Sequence, residues 1–275
     1  MGKTFRNRWL DDDAHGVAAF GTFPAGTDSP QAGWPMERGL ISTGSVSVFE
    51  RPDDDAPLVT ELIVGERLGV LDERGGWLRV VVPAHATGLD PRGYPGWARP
   101  DGLVQAPGWD PDLMTVAPNR AGLPLGSLLR RDGGDARLPE GGVAALEPGS
   151  VKPSGEPVEA APVGISRELL GLPYRWGGTD STTGMDCSGL VFRVMGLLGV
   201  TIPRDADDQF ERAPFRSREG PERAEREDLI FFGEESVTHV GFYLGDGTYL
   251  SEHGSSGTVV RGVDEDPYWG FARYS

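Results

Sequence analysis

The chain has 275 residues, 38% of them hydrophobic, and a formal net charge of −16. That length suits two or three domains rather than one small module. The acidity argues against nucleic acid or an anionic surface as partner, because phosphate binding relies on clustered Lys and Arg. No run approaches the roughly 18 apolar residues that a membrane helix requires, and the basic start MGKTFRNRWLDDD lacks the apolar core of a secretory signal. A monomer without membrane contact is expected, cytoplasmic, or secreted or wall-associated if a signal sequence has been removed. The 41 Gly and 23 Pro point to many turns and short strands.

Residues 1–39 carry no clear period. Trp9, Phe20, Phe23 and Trp34 lie among Gly, Pro and Asp, which reads as an arm packed on something else. From Ser42 the texture changes to short alternating strands: VSVFERP, VGERLGVL, a GGWLRV hairpin turning at Gly75 and Gly76, and GYPGWA. This is the pattern of a small antiparallel barrel. Over residues 40–106 these segments resemble the bacterial SH3 domain. Residues 107–160 repeat the theme weakly, with Gly126 of LPLGSLLRR standing where Gly65 stands, so a second, degenerate barrel is expected there. PGSVKPSGEPVEAAP then reads as a linker into a last domain, 161–275.

In that last domain VGISRELLGL predicts a helix with Ser166 as N-cap and Gly171 as its stop. PYRWGGTDSTTGMDCSG follows and holds Cys187, the one cysteine of the chain. Leu190, Val191, Val194, Leu197 and Leu198 then recur at three- and four-residue spacing, predicting a helix with one apolar face that ends at Gly199. A short charged helix in RDADDQFER precedes four strand-like runs at 228–232, 239–245, 247–253 and 257–263. A helix bearing Cys187 before an antiparallel sheet bearing His239 is an α+β layout.

A lone cysteine cannot close an internal disulfide, and His15, His85, His239 and His253 offer no zinc spacing, so neither metal nor cofactor is expected. A lone cysteine is by base rate a small buried hydrophobe. Its neighbours Asp186 and Ser188 are polar, however, and Cys187 falls in the first turn of its helix, where free N–H groups and the macrodipole favour a thiolate. His239 on a strand can hold the ion pair and later protonate a leaving amine. These are the minimum parts of a cysteine peptidase, lacking only a group to orient the imidazole.

The segments GLPYRWGGT, GMDCSGLVFRV, IPRDADDQ, DLIFF and HVGFYLGDGTYL together resemble the NlpC/P60 family of cysteine peptidases. The resemblance implies a papain-like α+β fold, cleavage of peptidoglycan stem peptides, Cys187 as nucleophile and His239 as base. With SH3 domains in front, the chain is similar to the γ-D-glutamyl-L-diamino acid endopeptidases, which cut murein peptides carrying a free amino-terminal L-Ala. That likeness implies that Asp186 and Ser188 contact the substrate's amino end and that Tyr174 and Trp176 line the cleft. It places Arg204 and Asp205 in the RD motif beside the site, and Tyr94 and Glu61 at the amine-binding end. A substrate ammonium needs a carboxylate, since an unpaired buried charge costs several kcal/mol.

One departure concerns the third catalytic residue, usually twelve positions after the base. Counting from His239 gives Ser251, with His253 two residues further on the same strand face. Either Ser251 orients the imidazole, or a bulge brings His253 into place, or catalysis is weakened. Recycling of wall peptides is the leading expectation; an exported wall hydrolase and a non-catalytic wall-peptide binder are the alternatives.

Overall fold

The computed structural model describes residues 39–274; the amino-terminal arm expected over 1–39 lies, apart from Gly39, outside them. Seven strands form the first sheet: β1 (Gly39–Ser42), β2 (Val46–Phe49), β3 (Leu58–Leu62), β4 (Arg67–Arg74), β5 (Trp77–Val82), β6 (Tyr94–Ala98) and β7 (Leu103–Val104). They run in the order β3-β2-β6-β5-β4-β1-β7 with every pairing antiparallel. Alternation drives this: Val46, Val48, Leu68, Leu78 and Val80 all turn into one core. Gly75 and Gly76, at φ of +58° and +77°, make the two-residue turn between β4 and β5, which needs left-handed backbone at both positions.

The second sheet holds β8 (Leu113–Thr115), β9 (Leu128–Asp132), β10 (Asp135–Arg137), β11 (Val143–Ala145) and β12 (Val151–Pro153), in the order β11-β10-β9-β8-β12. Its small core of Leu113, Leu129 and Ala136 takes in Val64 from the first unit. Gly65 and Gly126 occupy matching turns at φ of +85° and +87°. Each donates its N–H to the carbonyl at the end of a strand, Gly65 to Ser42 of β1 and Gly126 to Thr115 of β8. A Cβ on Gly65 would fall 2.1 Å from the Leu128 carbonyl oxygen, so this glycine also permits the two units to touch.

The last part begins with helix α1 (Pro162–Arg167). Ser166 is not its N-cap. Ala161 holds that position, and Ser166 lies inside the helix, its hydroxyl donating to the Pro162 carbonyl at 2.8 Å. Proline at the first helical position outweighed the serine signal. The missing cap comes from far away: Glu227, at φ +78°, accepts from the Val163 N–H at 2.8 Å. A two-stranded ribbon, β13 (Thr179–Asp180) and β14 (Gly184–Met185), leads into α2 (Cys187–Leu197), and α3 (Ala206–Glu211) follows. The remaining strands are β15 (Phe215–Ser217), β16 (Leu229–Phe232), β17 (His239–Gly245), β18 (Thr248–His253), β19 (Gly257–Gly262) and β20 (Tyr268–Arg273), ordered β15-β20-β16-β17-β18-β19. The four predicted strands are present; β20, which inserts between β15 and β16, was not predicted. One face of this sheet, with Leu229, Phe231, Val240, Phe242 and Leu250, packs on Leu190, Val191 and Val194 of α2.

The first sheet is fastened to this domain by buried charge. Glu66 is 4% exposed and Arg193 of α2 is 7% exposed. Their two-pronged ion pair is completed by the Ile63 N–H and the His85 ring on the glutamate. Arg193 and its neighbours hold the Glu66 carboxyl well below its ordinary value despite burial, while burial drives the His85 ring down. Glu66→Ala leaves a buried guanidinium without its counter-charge and should cost about 3–5 kcal/mol in urea unfolding, part of which Arg193→Met in the same chain should restore.

Candidate active site

Cys187 is the first residue of α2, and Asp186 is the N-cap. The helix start is pressed against the loop before it: a Cβ on Gly189 would lie 2.2 Å from the Gly178 carbonyl oxygen. The Asp186 carboxylate accepts five hydrogen bonds, from the N–H groups of Gly177 and Gly189, the Ser188 hydroxyl and two Arg204 nitrogens, at 2.6–3.2 Å. Arg204 is 1% exposed, and its remaining contacts go to the Ser188 hydroxyl, the Thr60 hydroxyl and the Gly178 carbonyl. Arg204 and Asp186 therefore hold each other and the start of α2, with their bonding capacity spent on the protein itself.

The Cys187 sulfur meets the backbone N–H groups of Ser188 and of Val240, the residue after His239. The helix start favours a thiolate, but burial and then Asp186 act against it and push the thiol up to about 12. His239 opens β17, and its ring stands 4.7 Å from that of His253, 5.8 Å from Phe232 and 6.0 Å from Tyr249. Burial, followed by the neighbouring His253, brings the imidazole down to about 4. Its Nε2 is buried without a hydrogen-bond partner among the described residues. Burial thus favours the neutral thiol and the neutral imidazole at pH 7, and the preformed ion pair expected from the helix start is offset by desolvation. Hydrogen bonds of this kind commonly close only when substrate is bound.

Ser251 and His253 part ways. The Ser251 hydroxyl donates to the Val240 carbonyl at 2.5 Å and does not reach the imidazole. Extending the β17–β18 register by three residues from the Phe242–Leu250 pair sets His253 directly across from His239. Asp266 lies 3.4 Å from His253 Nε2 and accepts the Tyr249 hydroxyl at 2.6 Å. No bulge is needed, because opposite residues of adjacent strands share a face.

The other predicted residues gather at one end of the cleft. Tyr174 is bridged to Met185 and its phenol is pushed up, first by burial and then by the Cys187 charge. Trp176 is 63% exposed at the approach. Tyr94 donates to Asp205 at 2.8 Å, and burial raises the Asp205 carboxyl to about 7. The loop before Tyr94 is stitched to the RD segment by the Arg204 N–H to Ala86 carbonyl bond at 2.8 Å and the Gly88 N–H to Asp208 bond at 2.6 Å. Glu61, 1% exposed, is paired with Arg175 and accepts from the Thr179 N–H at 3.3 Å. Sequence reasoning did not single out Arg175 or Arg193, whose partners lie more than a hundred residues away, nor Glu252 and Asp266. Among the described residues no cluster of His, Cys, Asp or Glu is suited to a metal ion.

With this geometry in place, comparison with known proteins is informative. The NlpC/P60 family model matches residues 171–272, and the model of the SH3 domain of bacterial dipeptidyl-peptidases matches residues 48–86. A γ-D-glutamyl-L-lysine dipeptidyl-peptidase of Bacillus subtilis is 32% identical over 225 residues, 71% of this chain and 72% of its own. Its Bacillus cereus namesake is 32% identical over 232 residues, 70% of this chain and 66% of its own. The crystal structure of an NlpC/P60 family protein from Bacillus cereus superposes with a TM-score of 0.75 at 23% identity, covering 86% of this chain and 99% of that one, a likeness of fold.

The neutral resting pair can be read directly. Alkylation of Cys187 by iodoacetamide should rise about tenfold per pH unit from pH 7 to 9 without levelling, as expected of a thiol raised to about 12. A plateau below pH 8 would indicate a preformed thiolate–imidazolium pair instead.

Proposed function

We propose that this chain, which belongs to the NlpC/P60 family of cysteine peptidases, hydrolyses the bond between D-Glu and the diamino acid in murein peptides with a free amino-terminal L-Ala, in wall-peptide recycling. The observation that carries this reading is the Tyr94–Asp205 contact at 2.8 Å. It sets the first barrel against the segment that carries Arg204, the partner of Asp186, which supports a cleft closed at its amino end and a substrate that terminates there. The names of the two dipeptidyl-peptidase relatives support the same bond and the same short product. We read the second sheet as a degenerate barrel of the first one's type, with 107–160 as its span and 161–275 as the catalytic domain.

In the reaction, His239 takes the Cys187 proton as the sulfur attacks the γ-carbonyl of D-Glu. The tetrahedral oxyanion is met by N–H groups at the start of α2, and the Tyr174 phenol, protonated at neutral pH, is placed to help. His239 then protonates the leaving amine, and water releases the acyl group from sulfur. His253, steadied by Asp266, sets the imidazole from the opposite strand, so it fills the third role rather than Ser251. Asp186, Ser188 and Arg204 fix the cleft's amino end, with Glu61, Tyr94 and Asp205 closing it and Trp176 covering the approach.

L-Ala-γ-D-Glu-L-Lys or its diaminopimelate counterpart should release the free diamino acid under reducing conditions, while the amino-acetylated peptide and intact sacculi stay uncut. Absence of product from the unblocked peptides would sink the proposal, and equal cleavage of sacculi would favour the exported hydrolase. His253→Ala should lower kcat by about a hundredfold or more. Ser251→Ala should change it by less than tenfold; the reverse order would return the third role to Ser251.

A further inference from the structure

Glu252 lies beside this site and has no part in the chemistry above. It is fully buried, at 0% exposure, on β18 two residues past Leu250 and so on the same face, the one packed against α2 and Cys187. At this point of the strand pair the Ser251 hydroxyl donates to the Val240 carbonyl, and the Val240 N–H meets the Cys187 sulfur. One Glu252 oxygen accepts the Thr258 hydroxyl, while the other is buried with no hydrogen-bond partner among the described residues. Thr258 itself is paired through its backbone with Gly171 and Leu172, which lead into Tyr174. Glu252 is thus set into the wall between the thiol and the Tyr174 segment.

A buried carboxyl with an unfilled oxygen is costly to keep, by more than a typical hydrogen bond contributes. The other buried carboxylates sharpen the point. Asp186 is filled by Arg204 and three other donors, and Glu61 is paired with Arg175. Among the described residues no cation stands beside Glu252: burial raises its carboxyl to about 8, the Thr258 hydroxyl opposes this, and Asp186 adds to it. Tyr174, raised first by burial, is neutral as well and offers Glu252 no positive charge.

Resting on the peptidase reading above, we propose that Glu252 is the carboxylate that receives an ammonium group of the peptide substrate. Buried and with Asp186 nearby, the acid is mostly protonated at pH 7. An arriving ammonium fills the open oxygen and favours the ionised form, so binding expels a proton to solvent. The ammonium is either the free amine of L-Ala or the side-chain amine of the diamino acid, and the two are separable by experiment.

The test is calorimetric titration of L-Ala-γ-D-Glu-L-Lys into the full chain carrying Cys187→Ala, at pH 7 in two buffers of different ionisation enthalpy. The expected result is release of a sizeable fraction of one proton per peptide bound, a readout that needs no Glu252 variant. Adding Glu252→Gln, which keeps an acceptor for Thr258, should weaken binding at least tenfold and abolish the release. Amino-acetylated peptide and peptide with norleucine for Lys are the two further arms. Whichever no longer distinguishes Glu252 from Gln identifies the amine; discrimination retained by both would overturn the assignment. Binding without proton release, or indifferent to Glu252→Gln, would overturn this assignment alone. No binding of any peptide by the Cys187→Ala chain would overturn the peptidase reading and this assignment with it.

Discussion

The pairing of Arg204 with Asp186 is the contact on which the site depends. A carboxylate immediately before a helix is a good N-cap, but a buried one needs a counter-charge, and Arg204 supplies it in two-pronged form at 2.8 and 3.0 Å. The same guanidinium reaches Thr60 on the first barrel and the Ser188 hydroxyl beside the nucleophile. One side chain therefore sets the start of α2, the entry loop at Gly177–Gly178 and the seat of the barrel together. The direction of its own shift agrees: Asp186 raises the Arg204 guanidinium against the opposing effect of burial.

Around this pair the cleft is built of matched charges in a dry setting. Arg193 with Glu66 and Arg175 with Glu61 each join the catalytic domain to the barrel through a buried carboxylate. Such pairs add little to stability over an apolar equivalent, because desolvation offsets most of the attraction. They do impose register: a guanidinium fork accepts its carboxylate in one orientation, so the barrel has one way to sit. The same dryness shapes the chemistry, raising the thiol and lowering the imidazole, and leaves proton transfer to the moment of attack.

Much of this was legible in the sequence where signals are local. The apolar spacing from Leu190 to Leu198 marked α2, alternation marked the barrel strands, and the polar flanks of Cys187 marked the helix start. His239 and the four strand runs around it followed from the same periodicities. What stayed hidden was set by distance along the chain. The partners of Arg175 and Arg193 lie on the barrel. The cap of α1 is Glu227, a residue held at positive φ where only tertiary contacts explain it. Ser166 misled because a proline start needs no serine cap. Ser251 and His253 were distinguishable only once strand register was known, since they share a face and differ by one pleat. Glu252 carried no signal at all, because burial of a carboxylate is a property of the packed state.

The joining of the Arg204 N–H to the Ala86 carbonyl, with Pro203 bridged to Ala86, has a mechanical meaning. Barrels attached by flexible linkers serve as tethers, free to swing while the catalytic unit works. A barrel whose backbone is hydrogen-bonded to the segment beside the nucleophile has no such freedom. It behaves as masonry: part of the wall of the cleft, unable to leave without opening it.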